Sequence, residues 1–167
     1  MLAFLPTPTG FSLPYLFVDI FCGLIGLSII LIFHGSALNH IVMRFERFTE
    51  LNLGKKQYNR IFFHFYLAFI FFALIHISEI FIWSGIILWL NLIPDTIQAI
   101  LFAGSCYTTV GFVADILPAG WKSLAFFIAF TGLFSLAWTT SVMIGMTAIY
   151  KQAWNLQYAQ RKRKQSL

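Results

Sequence analysis

The stretch SCYTTVGFVADILP, residues 105–118, gathers two threonines, a glycine and an aspartate within a largely apolar chain. Bent polar backbone of this kind offers carbonyl oxygens to an ion. At bilayer depth it is tolerated only where it is buried in protein or lines a water-filled path. A second group is His76, Glu79 and Trp83, spaced i, i+3 and i+7 on one helical face. An intramembrane carboxylate points to function, and Glu79 is placed to brace the bent segment from behind; the alternative is a pairing with His76 that serves folding alone. Four histidines, His34, His40, His64 and His76, raise a different chemistry, bis-histidine haem ligation for electron transfer. That needs facing ligands at one depth. His34 and His40 fall near the end of the first apolar stretch, His64 at the start of the second and His76 well beyond it, so at most one pair is expected to match. Enzyme chemistry is not expected, because the chain has no nucleophile with a base and orienter, no Cys or His metal spacing and no glycine-rich phosphate loop leading a helix.

The elements that must position these residues follow from composition. Of 167 residues, 59% are hydrophobic and 10% charged, against about 25% charged in soluble domains. This is the composition of an integral membrane protein. Lys and Arg are absent from Met1 to Met43, from Ile61 to Trp121 and from Ser123 to Tyr150. A span needs about 20 apolar residues, and residues 15–38, 61–82 and 123–147 supply three. Residues 94–118 are apolar but interrupted by Pro94, Gly104, Gly111 and Pro118, and read as re-entrant. Within them TIQAILFAGSCY suits a short helix from Thr96 to Tyr107, capped by Asp95 or Thr96. Its C-terminal end at Thr108 carries partial negative charge, which favours a nearby cation.

Charge sets the expected orientation. Arg44, Arg47, Lys55, Lys56 and Arg60 crowd the 44–60 connection, and Lys151 with Arg161, Lys162, Arg163 and Lys164 crowd the tail. Both segments are expected in the cytoplasm. The reading divides the chain into an external arm (1–14), a first transmembrane helix (15–43), a cytoplasmic basic loop (44–60), a module of helix, short helix, bent segment and inner helix (61–150), and a basic amphipathic tail (151–167). The opening MLAFLPTPTG lacks a basic region ahead of an apolar one, so a cleaved leader is not expected. Cys22 and Cys106 are too few for a disulfide framework.

TTVGF resembles the TTVGYG signature of potassium channels, and its setting between two spans resembles their two-helix pore module. HISEIFIW (76–83), LIPD (92–95), ILPAGW (116–121) and FTGLFSLAWTTS (130–141) resemble a bacterial branch of small ion-channel proteins, over roughly residues 60–150. The resemblance implies a pore helix and a filter of Thr108, Thr109, Val110, Gly111, Phe112 and Val113. Monovalent cations, potassium favoured, would be held at Thr109, Val110 and Gly111 by a ring of carbonyls from four loops. It therefore implies a homotetramer in a bacterial inner membrane, with no cofactor beyond the permeant ion. His76, Glu79, Trp83 and Asp115 are the expected filter supports. The sequence departs from the pattern where Phe112 replaces tyrosine and Val113 replaces the second glycine, and Asp115 sits one residue late. A β-branched residue at positive φ is a steric outlier, so Val113 is not expected to hold the outermost geometry. The alternatives are a weakly selective cation pore and a non-conducting channel-like subunit.

In the third span Gly132 and Gly145 suggest a gating hinge, and Thr139 and Thr140 a cavity lining; close helix packing through small residues is the competing account. Tyr150, Trp154 and Tyr158 recur every four residues along the tail before its basic run, a pattern suited to anchoring on anionic lipid. No aromatic and basic recognition module for nucleic acid accompanies it.

Overall fold

The computed structural model describes residues 13–113 and 116–165, the side chain of Lys164 apart. Asp115 therefore lies outside the described residues. Four helices and no strand occur among them: α1 Leu13–Gly54, α2 Tyr58–Trp89, α3 Thr96–Tyr107 and α4 Leu124–Gln165. Three are long and apolar enough to cross a membrane, namely α1, α2 and α4 from Leu124 to Arg163. The expected all-α membrane protein with three long apolar helices is met at that level.

The helices outrun the apolar stretches that announce them. The 44–60 segment, expected as a loop, is helical to Gly54 and again from Tyr58. No proline or glycine interrupts residues 44–53, and Phe45, Thr49 and Asn52 are buried while Arg44, Glu46, Arg47 and Glu50 stay exposed. That is amphipathic helical spacing, which continues a helix once the apolar run has ended. The turn is made beyond Gly54: Lys56 takes φ 55°, with Lys56 N–H donating to the Leu53 carbonyl and Gln57 N–H to that of Asn52. These are the paired bonds of a Schellman cap. α2 ends in the same way, with Asn91 at φ 53° and N–H groups of Asn91 and Leu92 donating to Leu88 and Ile87.

The chain forms two compact units. The first is built from the chain up to His34 and from His76–Leu136. Its core joins Ile30 of α1, Trp83 and Ile87 of α2, Ala99, Phe102, Ala103 and Tyr107 of α3, and Leu124 and Ile128 of α4. α3 begins at an Asp95 cap, whose carboxylate accepts the Gln98 N–H at 2.7 Å. At the start of α4 the buried Asp19 of α1 accepts both the N–H and the hydroxyl of Ser123.

The second unit comprises Gly35–Ile75 and Ala137–Leu167. Leu38, Phe45, Phe65, Ala68, Phe72, Ile75 and Met146 form its main core. The tail continues α4 and packs on α2: Tyr150 lies against Phe62 and Phe65, Trp154 against Phe62, and Gln157 donates to Asn59 at 2.9 Å. Tyr158 stays exposed. Of the aromatic row expected at the lipid interface, two members are thus engaged with α2.

Candidate functional site

The C-terminal end of α3 and the segment that follows it form the site. Thr108 caps the helix, its N–H and hydroxyl both directed to the Gly104 carbonyl. Thr109 N–H donates to Cys106, and Gly111 N–H reaches back to the Ser105 carbonyl at 3.2 Å. Val113 N–H donates to the Ser105 hydroxyl, also at 3.2 Å. Ser105, buried at 1% exposure, thus fastens two positions of the returning segment with one residue. It was not among the residues singled out from the sequence.

The backbone of this segment is unusual. Thr109 has φ 59° and Gly111 φ 65°, while Val110 between them is not left-handed. Glycine takes that conformation without steric cost. A β-branched threonine does not, and such strain, of order 1–3 kcal/mol, concentrates at functional positions. Alternation of backbone hand turns successive carbonyls toward one side, whereas in an extended strand they point to opposite sides. Val113 is outside the left-handed region, as its branched side chain predicts. Val110 and Phe112 are 67% and 65% exposed in the single chain, and Thr108, Thr109 and Gly111 are exposed too.

Behind α3 lies a hydrogen-bonded cluster. Glu79, with no exposed surface, takes His34 Nδ1 at 2.6 Å on one oxygen and the Tyr107 hydroxyl at 2.5 Å on the other. His76 Nδ1 meets the same hydroxyl at 2.7 Å. A phenol has one proton to donate. With that proton on Glu79, the His76 contact requires His76 to donate from Nδ1, giving a consistent chain of donors from His76 through Tyr107 to Glu79 and from His34 to Glu79. Burial without partners would cost a carboxylate several kcal/mol; here both oxygens are satisfied. Because Tyr107 is the last residue of α3, the cluster ties α1 and α2 to the point where the chain leaves the helix.

The pairing of His34 with this group differs from the expected depths. His34 and His76 lie side by side, ring centroids 5.4 Å apart and tilted 47°. The cause is the length of α1: His34 lies about 20 residues before its end and His76 about 18 residues after the start of α2, so an antiparallel hairpin brings them level. Counting back from the turn at Lys56 was the available signal. His34, His76 and Glu79 offer three ligand atoms within 4.8 Å of one another, a set able to hold a transition metal. Tetrahedral bonds of about 2.0–2.1 Å would set ligand atoms about 3.3 Å apart. Of the three pairs, His34 Nδ1 and Glu79 Oε1 stand at 2.6 Å, a hydrogen-bond distance.

The remaining candidates separate. Trp83 is fully buried, its ring over Gly26, in the core cluster that includes Ala99, Phe102, Ala103 and Tyr107 of α3. Gly132 is a seat for α3: a β-carbon there would lie 1.9 Å from the Tyr107 carbonyl oxygen. Around Gly145 there is open space, and α4 is continuous through both glycines. Thr139 is buried and Thr140 exposed, so the two do not share one lining. His40 and His64 belong to the second unit. No family model, curated protein or solved structure matches the chain.

Proposed function

We propose that the chain is one subunit of a homotetrameric channel for monovalent cations, with potassium favoured, and that residues 108–113 form its filter behind α3 as pore helix. The observation that carries this reading is the pair of left-handed residues, Thr109 and Gly111, flanking Val110 at the end of a short helix. Carbonyls turned to one side from four copies would replace an ion's hydration shell. Thr109 alone would be an ordinary left-handed helix ending, its N–H donating to the Cys106 carbonyl as those of Lys56 and Asn91 donate three residues back at the ends of α1 and α2. The second left-handed residue, Gly111, goes beyond what capping requires. The C-terminal dipole of α3 adds negative potential at the same point. The Glu79 cluster holds the end of α3 in place, and Ser105 holds the return.

Every Lys and Arg except Lys122 belongs to the second unit, and its two basic segments meet through Gln157 and Asn59. By the positive-inside rule these segments face the cytoplasm and the N-terminus faces outside, in a bacterial inner membrane. Purified protein in planar bilayers tests the function: under a potassium and sodium gradient the reversal potential should lie toward that of potassium, and Gly111→Ala should remove the current. Absence of current from the natural sequence would overturn the proposal.

A further inference from the structure

In the second unit a groove of about 170 Å³ opens between α1 and α2. Its α1 wall carries His40, Arg44 and Phe48 at four-residue spacing, and its α2 wall carries His64, Leu67 and Phe71, which also lie on one helical face. The Phe48 ring organises the polar side. His64 stacks on it at 4.6 Å with 12° between planes, and the Arg44 guanidinium stands 5.7 Å above it. His40, whose Nδ1 is held by the Ser36 carbonyl at 2.7 Å, also lines the groove. No acidic residue lines the groove, and Arg44 makes no ion pair among the described residues.

Arg44 is the first basic residue of the chain, following an apolar run that begins with α1, and His64 stands near the start of the apolar run of α2. The groove therefore sits where hydrocarbon gives way to headgroups. Its polar end is cationic and its floor, Ile41, Leu67 and Phe71, is apolar. A phosphate on an acyl chain matches both parts, and Arg favours phosphate through its planar fork of donors.

We infer that this groove binds one anionic phospholipid per subunit, its phosphate on Arg44, His64 and His40 and its chain along Leu67 and Phe71. This site is separate from the basic tail, and it does not depend on whether the protein conducts ions.

The test uses the full-length protein in neutral detergent, with bound lipid counted by native mass spectrometry. Phosphatidylglycerol, phosphatidylcholine with the same chains, and inorganic phosphate are compared. Phosphatidylglycerol should bind at least fivefold more tightly than phosphatidylcholine. Arg44→Gln should weaken it at least fivefold, the ratio that about 1 kcal/mol per basic residue near anionic lipid implies. Leu67→Trp, which fills the groove and keeps every charge, should weaken it as well, while Lys122→Gln, which removes a charge outside the groove lining, should leave it within twofold. Equal binding of the two lipids, or unchanged binding in Arg44→Gln or Leu67→Trp, would overturn the inference. So would a loss in Lys122→Gln as large as in Arg44→Gln, or competition by millimolar inorganic phosphate that abolishes lipid binding.

Discussion

Glu79 shows how much one side chain is asked to do. Both of its oxygens face donors, from His34 and Tyr107. Glu79→Gln would turn an amide N–H₂ toward one of those donors and leave a buried mismatch, worth about 1–3 kcal/mol. Melting of the purified protein should fall accordingly. If the cluster supports a filter, conductance or potassium selectivity should change as well with the oligomer intact, and Tyr107→Phe should share that change because it breaks the same contact. A variant that melts lower but permeates as before would confine Glu79 to folding. The departures at Val113 and Phe112 make a second prediction. Val113 is not left-handed, so the alternation of hand set by Thr109 and Gly111 stops before it. Glycine removes the steric bar. Val113→Gly combined with Phe112→Tyr should raise the potassium to sodium permeability ratio severalfold; a tenfold rise corresponds to about 1.4 kcal/mol. An unchanged ratio from reversal potentials would mean that the natural backbone already excludes sodium.

At the scale of elements, the contact between α3 and α4 is the most demanding. The two approach so closely at Gly132 that a β-carbon would overlap the Tyr107 carbonyl, and that carbonyl belongs to the residue before the cap of α3. Gly132→Ala should therefore destabilise the protein by about 1–3 kcal/mol, the usual range for forcing atoms into a packed site. Gly145→Ala meets open space and should be neutral or stabilising by up to about 1 kcal/mol through helix propensity. Thermal melting of the two variants separates packing from hinging. A hinge at Gly132 would leave melting unchanged and alter only opening.

For the whole molecule the exposed 109–112 segment sets the expectation. Val110 and Phe112, 67% and 65% exposed, stand beside carbonyls that a single chain does not enclose. Four copies around an axis would cover the segment and surround an ion, and closed cyclic symmetry is the usual form of such assemblies. Light scattering on the detergent-purified protein should give a mass of four chains. A monomer or dimer that still conducts would contradict it.

Much of the architecture could be read from residue order alone. Three apolar runs bounded by basic residues define three long helices, since lipid leaves the backbone no partner but itself. The helix Thr96–Tyr107 with its Asp95 cap was equally legible, because capping is a local matter of one side chain and the next turn. Part of the backbone beyond α3 follows from local chemistry, since Gly111 can be left-handed and Val113 resists it, whereas left-handed Thr109 runs against that rule. Partnership across helices was not legible. That Tyr107 joins His76 to Glu79 depends on how α3 packs on α2, and that His34, rather than His76, holds a Glu79 oxygen depends on where α1 stops. Its stop lies beyond Gly54, at a left-handed Lys56, and each residue of shift there moves every facing pair by about 1.5 Å. Likewise Gly132 reads from sequence as a hinge or a seat with equal ease. Only the placement of Tyr107 against it shows the close approach, because helix register and contact are properties of packed surfaces and not of any one segment.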